Sequence, residues 1–177
     1  ATSIMILIQQ GKLDPNATVA TYLPEFAQNG KETITLRHLL THTGGLIPDN
    51  SINDYADGAA AAITNIFALK PVSPPGESFN YSDVGFIVLG EIVKSVSGKN
   101  VHEFSQEHIF RPLNMTETGY LPADPLKLRA AVTQERDGHW MQGEVHDPRA
   151  FAMDGIAGHA GLFSTADDLA RYATMML

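Results

Sequence analysis

The residues best placed to do chemistry stand together at Asn80-Tyr81-Ser82-Asp83. A tyrosine hydroxyl donates and accepts hydrogen bonds, so it can pass a proton, whereas an ionised aspartate only accepts. A serine hydroxyl becomes a useful nucleophile only beside a base that takes its proton. Just upstream, Pro74-Pro75-Gly76 forbids a helix and permits a turn with positive φ. Just downstream, Val84, Ile87, Val88, Ile92 and Val96 recur at helical spacing. A polar tip between a rigid turn and a buried helix has its position fixed from both sides, as a working side chain requires. The same residues also read as an ordinary turn in which Ser82 or Asp83 caps the next helix.

Other groups are weaker candidates. His38 and His42 share one helical face at a spacing that can bind a metal. No third ligand follows at a recognisable distance, and no glutamate sits beside His38. Hydrogen bonding of the His and Thr side chains at a helix end is the competing reading. The glycine-rich stretch 155–161 precedes a helix, as phosphate cradles do. It has no lysine, and Asp167 and Asp168 in the first helical turn disfavour an anion. His139, His146 and Asp147 fall in a polar, proline-bearing stretch, 121–155, and are read as surface or packing residues. The sequence predicts no metal site and no cofactor. The chain has no cysteine, which excludes a thiolate nucleophile, a disulfide and a cysteine-bound metal.

The elements that must position these groups are mostly helices. Ile4-Met5-Ile6-Leu7-Ile8 is apolar on every side, like a helix buried all round; isoleucine also favours strands, but Gln9-Gln10-Gly11 reads as a helix end with glycine just past it. Thr35 is a candidate N-cap, with Ile34 and Leu39 as a hydrophobic staple. Ser51 and Asp54 suggest a capping box for a helix using Tyr55, Ala59, Ala62, Ile63 and Ile66. The helix 84–97 ends at Gly98, and its Gly85 and Gly90 mark close packing. Asn100 caps a helix using Val101 and Phe104 that stops by Pro112. In the stretch 121–155, Asp137-Gly138 is a hairpin turn signal for a small ribbon. Thr165 and Asp168 suggest a last capping box, with Leu169, Tyr172, Ala173 and Met176 as the buried face.

The 177-residue length allows one domain with a sizeable core. Hydrophobic residues make up 44% and charged residues 18%, the balance of a globular protein. A formal net charge of −8 argues against nucleic acid and anionic membrane as partners.

Pro75-Gly76-Glu77-Ser78-Phe79-Asn80-Tyr81-Ser82-Asp83, with the apolar run that follows from Val84 to Val93, resembles the tyrosine motif of serine β-lactamases and penicillin-binding proteins. The likeness is greatest to the class C β-lactamase and esterase branch. Leu39-Leu40-Thr41-His42-Thr43-Gly44-Gly45-Leu46, Ile109-Phe110-Arg111-Pro112-Leu113-Asn114-Met115 and Gly158-His159-Ala160-Gly161-Leu162-Phe163-Ser164-Thr165-Ala166-Asp167-Asp168-Leu169 agree in the same order. The resemblance implies a mostly α chain, the helical middle of the β-lactamase/transpeptidase-like α+β fold, with at most a small β ribbon. Residues 1–177 are then a single domain, a fragment of a larger serine hydrolase, exported or periplasmic.

It also implies an acyl-enzyme mechanism on a small β-lactam, ester or peptide-type substrate. Tyr81 matches the motif tyrosine. Asp83 stands where asparagine is usual, which removes a donor and leaves only an acceptor. His159, Ala160 and Gly161 match the segment that lines the cleft. The family's Ser-x-x-Lys is absent from this sequence, and the later strand that carries its Lys/His-x-Gly is expected to lie past Leu177, so the chain alone is expected to be inactive. Apolar surface around Ile4, Met5 and Ile8 is expected to be left open and to favour self-association. Two other readings stand beside this one: a non-catalytic helical binding module on the same scaffold, and a metal hydrolase built on His38 and His42.

Overall fold

The computed structural model describes residues 1–177. Helix α1 (Thr2–Gln9) buries Ile4 and Leu7, and Gly11 at φ +70° follows its end. Short 3-10 turns at Val19–Thr21 and Pro24–Phe26 lead to α2 (Leu36–Leu40). Thr35 caps α2: the His38 N–H donates to its hydroxyl at 3.2 Å, and the Thr35 N–H donates back to His38 Nδ1 at 3.3 Å. Ile34 and Leu39, the expected staple pair, both enter the core.

The helix read as starting near Ser51 is broken in two, a 3-10 turn at Ile52–Tyr55 and α3 (Ala59–Ala68). Gly58 at φ +88° makes the break. Ser51 accepts the Asn53 N–H, but Asp54 does not complete a box; its carboxylate accepts from Asn50 Nδ2 at 2.8 Å instead.

Helix α4 (Asp83–Ser97) is the axis of the molecule. Val84, Ile87, Val88, Leu89, Ile92 and Val93 are all buried, and α1, α2 and α5 (Val101–Ser105) pack on it. A β-carbon on Gly90 would meet the Gly158 backbone at 3.3 Å, so close packing holds there. Gly85 faces only ordinary contacts. Asn100 forms a full capping box with Glu103, and α5 runs on into a π turn at Gln106–Phe110. One core of 25 buried residues reaches from Ile4 to Ala157; Ile109, Phe110 and Met115 form a small second cluster.

Strand β1 (Gly119–Tyr120) and the short α6 (Asp124–Lys127) precede the ribbon. Its strands, β2 (Val132–Arg136) and β3 (His139–Gln142), pair antiparallel. Asp137 and Gly138 both adopt positive φ, as a two-residue hairpin turn demands. The chain then forms α7 (Pro148–Ala152), β4 (Leu162–Phe163) and α8 (Ala166–Met175). The expected single ribbon is not the whole of the sheet: β1 pairs with β4, a two-residue ladder too short for an alternation pattern to reveal. Helices still dominate, at 44% of the chain. No helix is long and apolar enough to cross a membrane.

Two expectations about burial are overturned. Ile4 is 1% exposed and Ile8 half-buried, so Met5 alone of that trio is open. Conversely, α8 buries neither Leu169, Ala173 nor Met176, and Tyr172 only in part. Its fully buried residue is Asp168. The Asp168 carboxylate accepts from the Glu117 N–H and the Thr118 hydroxyl, at 2.9 and 2.8 Å, and pairs with Arg171 at 3.0 Å. Thr165 accepts the Asp168 N–H, but that carboxylate is committed elsewhere and the reciprocal bond of a box is not made. A polar anchor, rather than the apolar stripe, therefore fixes the orientation of α8.

Candidate functional site

The loop carrying Tyr81 is zipped to the loop after α2. Val72 N–H donates to Gly45 O, Gly76 N–H to Thr43 O and Asn80 N–H to His42 O, at 2.7–2.8 Å. The Asn80 side chain donates to Leu46 O at 2.8 Å. A β-carbon on Gly45 would stand 2.0 Å from Ser73 O, so the two backbones touch there. The Ser82 N–H donates to His42 Nδ1 at 3.0 Å, and the Asp83 N–H to Pro48 O at 2.9 Å. These bonds bracket Tyr81 on both sides.

Ser82 is the N-cap of α4. Its hydroxyl donates to Ile47 O at 2.6 Å and accepts the Gly85 N–H at 3.1 Å, and it is buried. The capping reading is correct for this residue, and its hydroxyl is committed to structure. Tyr81 is the opposite case. It is 60% exposed, and its ring stacks on His42 with centroids 4.5 Å apart. Its hydroxyl has no hydrogen-bond partner within the chain, and a phenol can both donate and accept a proton. His42 also stacks on Phe86, at 4.8 Å. Of the metal-spaced pair, His38 Nδ1 accepts the Thr35 N–H at the start of α2, the helix-end bond expected, whereas His42 Nδ1 accepts the Ser82 N–H of the distant tyrosine loop.

Asp83 opens α4 and meets two residues from far along the chain. One donor atom each from Asp83, Asp147 and His159 lies within 4.8 Å of the others. Asp147 is the N-cap of α7: its Oδ1 accepts the Ala150 N–H at 2.7 Å and pairs with His159 Nε2 at 3.0 Å. Burial works against the Asp147 charge, but the Ala150 N–H and the His159 ring outweigh it and hold the carboxyl below the usual range. Burial pushes the Asp83 carboxyl up; His159 opposes this, and the charges of Asp49 and Asp147 add to it. Beneath them lies a polar network. The Tyr55 hydroxyl donates to Asn50 Oδ1 at 2.8 Å, and Arg149 donates to Asn50 O at 2.6 and 2.9 Å while pairing with Asp49 at 3.4 Å.

His159, Ala160 and Gly161 line a cleft of about 580 Å³, bounded also by Val145, His146 and Phe163, within the size range of small-molecule sites. The three residues assigned to the pocket from sequence are in its wall. Tyr81 and Asp83 stand outside that lining, and the link to them runs through His159 to Asp83 and through Phe86 to Gly158. Asp147 was missed, because an aspartate in a polar stretch looks like solvent-facing loop. The signal was Asp147-Pro148, a cap followed by proline at the first helical position.

A helical layer built on α4 carries an exposed tyrosine just before it and a glycine-rich cleft wall before the last helix, the helical part of a β-lactamase-like fold. The chain belongs to the beta-lactamase family, whose family model matches residues 1–177. It is similar to the N-acetylmuramyl-L-alanine amidase of Bacillus subtilis (strain 168), 33% identical over 97% of this chain. It covers 45% of that protein, so it spans about half the length of the curated relative. The octameric penicillin-binding protein homologue from Pyrococcus abyssi superposes with a TM-score of 0.73 at 25% identity, over 98% of this chain and 41% of its own. A class C beta-lactamase superposes at a TM-score of 0.80 and 20% identity, over 98% of this chain and 46% of its own, which shows the shared fold.

Proposed function

We propose that this chain forms the tyrosine-bearing side of the acyl-transfer site of a serine hydrolase. The observation that carries the reading is Tyr81: an exposed hydroxyl without an internal partner, on a loop locked to two neighbours at the mouth of the central helix. In the reaction, a serine hydroxyl adds to the substrate's acyl carbon and the leaving group departs with a proton. Water then releases the acyl group from the serine. Tyr81 serves as the proton carrier between serine and leaving group. No serine in this chain has a lysine three residues later, so the nucleophile is assigned to chain outside residues 1–177.

His159, Ala160 and Gly161 form the wall against which the substrate lies. Asp83 presents an acceptor where the family pattern has an amide, which favours substrates offering a donor there over those offering a carbonyl. Esters and amides with such a donor fit this better than β-lactams. The test is a substrate panel of nitrophenyl esters, muramyl-type amides and a chromogenic β-lactam, run on a longer product of the same gene. Asp83→Asn should shift preference toward the β-lactam. An unchanged ranking would remove Asp83 from substrate selection.

A further inference from the structure

Helix α2 closes in a Schellman motif. The Thr43 N–H donates to His38 O at 2.8 Å and the His42 N–H to Leu39 O at 3.2 Å. Thr41 is the cap, and His42, the residue after it, takes the left-handed backbone of the motif at φ +55°. Glycine is the default at that position, because a β-carbon resists the conformation. A larger side chain there is uncommon and persists where its surroundings hold it. The turn itself needs no imidazole, so the use of the ring lies elsewhere in the fold.

It lies in the loop that carries Tyr81. His42 O accepts the Asn80 N–H at 2.8 Å, and His42 Nδ1 accepts the Ser82 N–H at 3.0 Å. One residue thus binds the backbone immediately before and immediately after Tyr81. Its ring fills the space between Tyr81 and Phe86 and stacks on both, with centroids 4.5 and 4.8 Å away and planes 30° and 18° from parallel. Phe79 meets the same ring edge-on at 5.7 Å. The Tyr81 hydroxyl has no hydrogen bond within the chain to orient it, so stacking on His42 fixes the direction of the phenol.

We propose that His42 is the positioning residue of Tyr81, setting where the phenol stands in the acyl-transfer site. The inference rests on the reading of Tyr81 as proton carrier. His42 is not among the residues lining the cleft of His159, Ala160 and Gly161, so its effect on turnover passes through Tyr81. Misplacing a catalytic group by about 1 Å can cost on the order of a hundredfold in rate. Spacing in the sequence paired His42 with His38; the fold gives the two rings separate tasks, one at the start of α2 and one under the tyrosine.

The test is steady-state kinetics and thermal melting of the longer product of the same gene, on the ester or amide that it turns over fastest. His42→Gly suits the left-handed turn and removes both the Nδ1 acceptor and the ring. It should lower kcat by about ten- to a hundredfold with KM nearly unchanged. His42→Asn tolerates the same backbone, and its Oδ1 hangs from Cγ as Nδ1 does, so it should recover part of the loss. Melting curves show that the variants are folded. In a Tyr81→Phe background His42→Gly should cost little more, because the hydroxyl it positions is gone. Parent kcat in folded His42→Gly, no recovery in His42→Asn, or the full loss repeated on top of Tyr81→Phe overturns the proposal. Parent turnover in Tyr81→Phe is a separate failure: it removes the acyl-transfer reading, and this inference with it.

Discussion

Gly158 lies so close to Phe86 that a β-carbon on it would stand 1.9 Å from the Phe86 carbonyl oxygen. That contact ties the cleft wall at His159, Ala160 and Gly161 to the helix that starts beside Tyr81. The obstacle is backbone, so no side-chain rotation relieves it. Gly158→Ala should destabilise the fold by about 1–3 kcal/mol or more, the range of overpacking. Gly98 has positive φ but open space around it, so Gly98→Ala should lose about 1 kcal/mol from backbone strain alone. Urea unfolding of the two variants checks this, and equal losses would mean that the loop is not seated on α4.

Tyr81→Phe should separate function from stability. The hydroxyl holds nothing within the chain, and the ring can still stack on His42. Unfolding free energy should change by no more than about 0.5 kcal/mol. In the longer hydrolase, turnover should fall by about 10²–10⁴, the share that a positioned proton carrier supplies. The comparison needs kcat and thermal melting on the same preparations.

Two tyrosines should mark the alkaline limit of the fold. Burial raises Tyr120 to about 12, and its hydroxyl donates to Ala157 O at 3.2 Å. Burial also leads the rise of Tyr55 to about 12, reinforced by Asp147 and Asp49 and opposed by Arg149 and the bond to Asn50. Both folded values lie above the ordinary value of 10.0. The stability that these groups contribute is therefore complete below pH 10 and is lost as pH rises through about 12. Ultraviolet titration should show a late tyrosinate step that shrinks in Tyr120→Phe; a titration curve identical to the parent's would place Tyr120 in water.

The open apolar side of α8 should make the isolated chain self-associate as concentration rises. Leu169 and Met176 are 52% and 65% exposed, and apolar area of this kind is removed from water on contact. Leu169→Lys with Met176→Lys should shift sedimentation toward monomer. Parent and variant sedimenting alike at all concentrations would count against it.

Local signals in the sequence located the helices well. Thr35, Asn100 and Gly98 are stop and start signals whose effect is confined to a turn or two, so α2, α5 and the end of α4 could be read directly. Tyr81 and residues 159–161 were singled out through their motif. What could not be read depends on distant partners. The β1–β4 ladder joins two residues to two others far along the chain, and Asp168 leaves its capping role because Thr118 and Arg171 are better partners. Asp147 becomes informative only once α7 brings it to His159. The exposed stripe of α8 looks, in sequence, the same as a buried one.

Under the proposed function, Tyr81 serves a nucleophile outside residues 1–177. A fluorophosphonate probe tests it most directly, because it labels an activated serine covalently. The 177-residue chain and a longer product of the same gene, extended at both ends, are incubated with the probe and the labelled peptide is mapped. Labelling of the longer protein is expected at a serine outside residues 1–177, slowed in its Tyr81→Phe variant, with no stoichiometric labelling of the shorter chain. Stoichiometric labelling of a serine within residues 1–177, with turnover abolished by mutating it, would contradict the assignment of the nucleophile to chain outside those residues.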